Sequence, residues 1–416
     1  MKKDIDSLMG ANDIDALLVT GSARHNPAMV YLTGGAHLTK ADLIKKRGCA
    51  PVLFYSSMER DEAAKTGLET RNLGDYRLHE LQRQMGGDLL LATVERYRRM
   101  FSDVGVTSGR VALYGKIESS EAYALFTALQ DALPGITLIG EFETSILLSA
   151  MSTKDEDEVE RIRRMGQKTI EVVDMVADFL TSRDVQDQVL IKSDGSPLTI
   201  GDVKRRIDLW LAERCAENPE GTIFAIGHDA GVPHSSGTDS DQLQLGKTIV
   251  FDIFPCEPGG GYFYDFTRTW CLGYAPVEAQ VLYDDVLAVY KQVMEELQAG
   301  TPCMEYQQQT CELFEACGHT TIMSDPQTQE GYVHSLGHGL GLHVHERPSF
   351  RTSSGEGDRL EPGVVVTIEP GLYYPQRDMG VRLEDTVWVR PNGEIEVLVE
   401  YPLDLVLPMK RRGLTG

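Results

Sequence analysis

The sequence is poor in paired cysteines. Seven are present, an odd number: Cys49, Cys215, Cys256, Cys271, Cys303, Cys311 and Cys317, with no Cys-x-x-Cys pair among them. That argues against a disulfide framework and against a cysteine-held zinc, and makes reduced, mostly buried thiols in a cytoplasmic protein the expectation. Positive charge is also scarce. Lys and Arg number 40 against 63 Asp and Glu, a net charge of −23. Such a surface repels phosphate backbones and anionic lipid headgroups, so neither nucleic acid nor a membrane is an expected partner. No apolar run approaches the roughly 20 residues of a membrane-spanning helix. Acidic residues follow the two N-terminal lysines where a signal peptide would carry an apolar segment. Serine nucleophile elbows and phosphate-binding loops are missing too.

The 416 residues suffice for two domains. Over residues 1–150, a short helix precedes DIDALLVTG, which reads as a buried strand. YLTGG, APVLFY and GRVALYG read as further strands, and HELQRQMGGDLLLATVERYRRMF as helix. This alternation predicts a small α/β domain. At STKDEDEVERIRRMGQ the character changes to a long amphipathic helix, with Ser152 or Thr153 as its cap and acids in its first turn. Residues 151–416 then carry strand-like runs, TIFAIG, KTIVFDIF, DFTRTWCL, GVVVTIEP, VRLEDTVWV and EIEVLVEY. Helices are expected at 276–297 and 304–317. This pattern predicts an α+β domain with a largely antiparallel sheet.

Four of those strands carry acids where core is expected. Asp252 lies amid apolar residues on both faces of KTIVFDIF. Asp265 opens DFTRTWCL, and Glu369 ends VVVTIEP. Glu384 shares a face of VRLEDTVWV with Arg382, Thr386 and Trp388. A lone buried carboxylate is costly unless partnered. Arg268 or Arg382 could partner one, but one or two arginines do not easily answer four acids. A pair of divalent cations would balance them, and carboxylates with one imidazole suit manganese, cobalt, iron or zinc.

HSLGHGLGLHVHERP, residues 334–348, concentrates His334, His338, His343 and His345, four of the ten histidines. Gly337, Gly339 and Gly341 disfavour a helix, so His334 and His338 are not read as a helical zinc pair. The stretch predicts a tight loop whose backbone approaches something closely. LHVHE follows as an alternating segment with His343 and His345 on one face.

In order along the chain, FDIFP with Asp252, YDFTRT with Asp265, GHGLG with His338, TIEPGLY with Glu369 and GVRLEDT with Glu384 resemble the pita-bread metallopeptidases. These are methionine aminopeptidase, aminopeptidase P and prolidase, with creatinase as a relative. The resemblance covers about residues 220–390. DIDALLVTG followed by YLTGG resembles the N-terminal α/β domain of the prolidase, aminopeptidase P and creatinase branch. The resemblance implies two divalent metals per chain, manganese first among the candidates. Asp265 and Glu384 would bridge them, Asp252 would bind one, and His338 and Glu369 the other. It implies catalytic roles for His234, His334, His345, Glu369 and Arg382, and none for His228 or His343. One departure stands out: Asp252 and Asp265 are thirteen residues apart, slightly more than is usual, which suggests a lengthened hairpin loop at Gly259, Gly260 and Gly261.

The implied activity is hydrolysis of Xaa-Pro peptide bonds by a hydroxide held between two metals. Glu369 would shuttle the proton, His345 and His334 would hydrogen-bond the carbonyl or the tetrahedral intermediate, and His234 would assist. A small proline-containing peptide is the implied substrate and a homodimer the implied assembly. Dipeptidase and aminopeptidase remain equally open. The alternatives are a creatinase-like or other small-molecule hydrolase or lyase on the same fold, and an inactive binding module. A creatinase-like enzyme and a binding module would be marked by lost ligand positions, and all five stand; a metal-dependent lyase or hydrolase acting on another small carboxylate stays open.

Overall fold

The computed structural model describes residues 4–142, 145–351 and 357–410. The chain divides into two compact units, residues 1–151 with 259–261, and residues 152–258 with 262–416.

The first unit is built on six strands: β1 (Ala16–Gly21), β2 (Ala41–Lys46), β3 (Val52–Tyr55), β4 (Glu69–Asn72), β5 (Gly109–Lys116) and β6 (Ile136–Ile139). Their order is β4-β3-β2-β1-β5-β6. The β1–β5, β5–β6 and β3–β4 pairs are parallel, and β1–β2 and β2–β3 antiparallel. Helices Leu89–Asp103 and Ser119–Ala132 supply buried Tyr97, Phe101, Leu125 and Leu129 to a core shared with Leu18, Phe54 and Val111. One sequence expectation fails here. YLTGG is not a strand but the end of the helix Pro27–Thr33. Asn26 caps that helix on Met29 N, Pro27 occupies its first turn, and Gly34 ends it in the left-handed region. These terminal signals outweigh the strand preference of its Val, Tyr and Thr.

The second unit opens with the long helix Glu156–Thr181. Its cap is Asp155, in a reciprocal box with Glu158, and not Ser152 or Thr153. The short hairpin β7 (Asp184–Gln186) and β8 (Val189–Ile191) follows, then β9 (Thr222–Ile226), β10 (Thr248–Ile253) and β11 (Phe266–Leu272). The remaining strands are β12 (His338–Gly339), β13 (Glu346–Ser349), β14 (Val365–Ile368), β15 (Gly371–Tyr374), β16 (Met379–Arg382), β17 (Asp385–Val389), β18 (Ile395–Val397) and β19 (Val406–Leu407). They form sheets ordered β19-β11-β10-β9 and β13-β12-β14-β17-β18, with a β15-β16 ribbon. All these pairs are antiparallel except β11–β19. This is the α+β architecture the strand runs predict. Helices Val277–Glu296 and Cys303–Ala316 pack Tyr283, Val286, Val293 and Phe314 into a core with Val366, Leu372 and Val387.

Three local differences shape the site. VRLEDTVWV is two strands rather than one: the chain leaves β16 after Arg382 and enters β17 at Asp385. In the gap, Glu384 N donates to Thr267 O over 3.0 Å, tying that turn to β11. LHVHE is not an alternating strand either, because pairing resumes only at Glu346. The connection from Asp252 to Asp265 keeps β10 and β11 in register, with Asp252 opposite Thr267 and Ile253 opposite Phe266. Its extra length forms an inner bridge between Cys256 and Phe263, with the three glycines beyond it.

Candidate metal centre

Four elements of the second unit deliver the acidic side chains. Asp252 stands near the end of β10, Asp265 just before β11, Glu369 just after β14, and Glu384 in the turn between β16 and β17. Asp252, Asp265 and Glu384 are buried, and Glu369 and His338 half-buried. Ligand atoms of Asp265, His338 and Glu384 lie within 4.8 Å of one another. His338 Nε2 is 3.6 Å from Asp265 Oδ2 and 3.5 Å from Glu369 Oε1. The charge of Asp252 acts directly on Asp265. The five residues therefore surround one small volume.

The glycine-rich stretch brings His338 there. A Cβ on Gly337 would lie 1.9 Å from Thr367 O, and one on Gly339 would lie 2.1 Å from Arg347 O. Only glycine lets this backbone lie so close to both neighbours. His338 N is held by Thr367 Oγ1 at 3.1 Å. Its Nδ1 contacts Gly339 O at 3.1 Å. A carbonyl only accepts, so Nδ1 carries the proton and Nε2 turns a lone pair toward Asp265 and Glu369.

Electrostatics make this cluster unusual. Burial, then the charges of Asp252 and Glu369, push Asp265 well above the usual carboxylate range. Burial, then Asp265 and Glu369, does the same to Glu384. Burial, opposed by Arg382, lifts Glu369 to about 8. Burial and the neighbouring His345 lower His338 to about 3. Arg382 places a guanidinium nitrogen 2.5 Å from Asp252 Oδ2, answering one of the four acids. Asp252 Oδ1 and Glu384 Oε1 are buried and lack a hydrogen-bond partner among the described residues. Orphaned carboxylate oxygens, unanswered like charges and an imidazole lone pair facing them form a donor set that fits divalent cations.

The histidines divide by exposure. His234 and His345 are exposed, and the His345 ring lies 4.3 Å from that of His338, centroid to centroid. Burial, then the His234 and Arg351 charges, lower His345. His334 has both ring nitrogens engaged, Nδ1 with Ser335 O at 2.7 Å and Nε2 with the Tyr373 hydroxyl at 2.8 Å. Burial and Arg382 lower it to about 3. His228 contacts Pro375 O through Nδ1.

Sequence reasoning missed several participants. Tyr373 joins Arg382 Nη1, at 2.8 Å, to His334. Alternation along β15 offered a hint, since Tyr373 shares a face with Gly371, where a Cβ would sit 2.6 Å from the Tyr373 hydroxyl. Thr267 donates to Glu384 Oε2 at 2.7 Å and contacts Arg382 Nε at 3.2 Å. Arg268 pairs with none of these carboxylates, though its Nη1 donates to Glu384 O at 2.8 Å. It pairs at 2.9 Å with Asp385, a fifth buried carboxylate that Tyr290 also holds. The charge of Arg351 reaches His334, His345 and Glu369.

Acids gathered from four segments of an antiparallel α+β unit, around a histidine with a free lone pair, define a metallohydrolase-type centre. Residues 160–391, more than half of the chain, match the model of metallopeptidase family M24, and the chain belongs to that family. Its second unit is accordingly a pita-bread domain, and the family implies use of a divalent metal. The chain is 26% identical over 394 residues to the Xaa-Pro dipeptidase of Pyrococcus horikoshii, covering 94% of each. With the Xaa-Pro dipeptidase of Pyrococcus furiosus it shares 32% identity over 193 residues, 46% of this chain and 51% of that protein. In fold it is similar to the X-Pro aminopeptidase of Thermotoga maritima, with a TM-score of 0.73 at 22% identity over 97% of this chain and 100% of that one.

Proposed function

We propose that this chain hydrolyses the bond preceding proline in small Xaa-Pro peptides. The observation that carries the reading is the convergence of Asp252, Asp265, His338, Glu369 and Glu384, in a chain alignable along nearly its full length with an Xaa-Pro dipeptidase. Those five residues would hold two divalent metals, with manganese as the resident ion. Bound there, the ions would supply Lewis acidity and a water acidified toward neutral pH.

The chain's own groups do the rest. The bond before proline is a tertiary amide, and its nitrogen needs a proton on leaving. Glu369, just after β14 and 3.5 Å from His338 Nε2, is the carboxyl placed to carry that proton. His345, exposed beside His338, donates to the developing oxyanion, and His234 assists from the same open side. His334 acts differently from the sequence expectation. With Nδ1–H given to Ser335 and Nε2 accepting from Tyr373, it has no N–H left for substrate, so it positions Tyr373 and Arg382. Arg382 in turn orients Asp252. Residues 151–416 form the catalytic domain in this reading and residues 1–150 a prolidase-type N-terminal domain, in a cytoplasmic homodimer.

One assay tests the reading. Manganese-loaded and chelated protein are offered Xaa-Pro dipeptides, Xaa-Pro-Xaa tripeptides and matched peptides with alanine for proline. Release of the N-terminal residue from the proline peptides alone, abolished by chelator and by Asp265→Ala, is expected. Cleavage of dipeptides only, or of tripeptides as well, separates dipeptidase from aminopeptidase. Manganese-loaded protein that cleaves no proline peptide overturns the proposal.

A further inference from the structure

Outside the acid cluster, the second unit buries another complete ion pair. Lys154 Nζ lies 2.7 Å from Glu346 Oε2, and each side chain is 1% exposed. The other oxygen, Oε1, accepts from Leu342 N at 2.7 Å and from His343 N at 3.0 Å. A buried ion pair is a poor device for stability alone, since apolar residues of similar volume often serve as well or better. This one does something an apolar pair cannot: its carboxylate closes a turn.

The turn matters because of what it joins. His338 and Gly339 form β12, and the chain then reverses so that Glu346 pairs with Gly339 in β13. The reversal lays the His345 ring against the His338 ring. Gly341 N donates to His343 O, and Phe263 N donates to Gly341 O, completing the backbone bonds of the reversal. Lys154 is itself fixed by the strand that leads to Glu369: its N–H donates to Gly363 O over 2.7 Å, and Thr153 bridges Val364. One lysine thus ties the segment entering β14, the strand just before Glu369, to the turn that carries His345.

We infer that Lys154 and Glu346 are positioning residues for His345, setting where its ring stands relative to His338 and Glu369. This rests on the oxyanion role given to His345 above. Neither residue touches substrate. Their effect is to fix an exposed imidazole whose backbone has no regular strand to hold it. A shift of about 1 Å at such a group can cost on the order of a hundredfold in rate.

The test compares two ways of removing the ion pair. Lys154→Met/Glu346→Gln keeps an oxygen to accept from Leu342 and His343, whereas Lys154→Met/Glu346→Leu does not. Both are loaded with manganese for kinetics, and with zinc for NMR of selectively 15N-labelled histidine. The Leu double variant should be folded and fully metallated, with kcat lowered at least about tenfold, KM within about threefold, and the His345 ring signals displaced. The Gln double variant, which keeps the acceptor for Leu342 and His343 but loses the tie to Lys154, should recover part of kcat, with His345 signals between those of the wild type and the Leu variant. If the Leu variant fails to fold, Gly341→Ala replaces it, since its Cβ would lie 2.5 Å from Glu346 Oε2 and 2.8 Å from Lys154 Cε. Wild-type kcat and unmoved His345 signals in the folded, metal-loaded variant overturn the inference. If the wild type cleaves no Xaa-Pro peptide, the functional reading fails by itself. The NMR comparison then decides alone: displaced signals support the positioning role and unmoved signals overturn it.

Discussion

Arg382 spans Asp252 and Tyr373, with one guanidinium nitrogen 2.5 Å from Asp252 Oδ2 and another 2.8 Å from the Tyr373 hydroxyl. A single buried cation therefore faces four carboxylates and is shared with the network that ends at His334. The planar fork suits this task, because it can hold an acid and a phenol at once where an ammonium offers one point of charge.

The first prediction concerns that pair in metal-free protein. Arg382→Met leaves Asp252 buried without its cation, and breaking a buried pair in this way costs about 3–5 kcal/mol. Denaturant unfolding in chelator should show a loss of that order. Manganese should restore a larger share of stability to the variant than to the wild type, because added cations then answer one more acid. Equal stability of the two proteins in chelator would show that Asp252 does not depend on Arg382.

A second prediction follows from the raised carboxyl groups. In chelated protein, Glu369 has its folded-state pKa lifted from 4.5 to about 8 by burial, and Asp265 and Glu384 are raised as well. Between the unfolded and folded pKa values the native state binds more protons than the unfolded one, so stability falls as pH rises. Below about pH 6.5 the lowered histidines, His334 and His338, work in the opposite sense, so the unfolding midpoint of chelated protein should drop between about pH 6.5 and pH 8. Manganese loading at pH 7 should release protons, detectable by calorimetry in buffers of different ionisation enthalpy. A flat midpoint and no proton release would mean that these acids are already ionised without metal.

How much of this site could be read from the sequence depends on what kind of signal each residue leaves. Asp252, Asp265, Glu369 and Glu384 are legible because an acid inside a run of Val, Ile and Phe breaks a pattern. His338 is legible through its glycines. Asp385 is not, because a private partner, Arg268, lies more than a hundred residues away and nothing local announces the pair. The same blindness reads VRLEDTVWV as one strand. The break at Glu384 is made by a hydrogen bond from its own N–H to Thr267, which no periodicity encodes. YLTGG misleads for a related reason, since its capping residues, Asn26 and Gly34, lie at the ends of the segment or beyond. The turn at 341–346 likewise owes its shape to the Glu346 carboxylate and to Lys154, almost two hundred residues earlier.

Tyr373 gives the last prediction, because it is a neutral group between two charged or titratable ones. Its hydroxyl accepts from Arg382 and donates to His334, whose other nitrogen is fixed on Ser335. Tyr373→Phe removes only that oxygen. Arg382 keeps Asp252, Thr267 and Pro233 O as acceptors, so the guanidinium stays in place. His334 loses the donor that sets its ring, and a buried group left unpaired costs about 1–3 kcal/mol. The variant should therefore bind the wild-type amount of manganese, melt a few degrees lower, and show kcat for Xaa-Pro hydrolysis reduced by about tenfold to a hundredfold with little change in KM. Metal content by elemental analysis and steady-state kinetics check both halves. Loss of manganese with the hydroxyl would move Tyr373 from the catalytic network to the support of the metal ligands, whereas unchanged kcat would show that His334 needs no partner at Nε2.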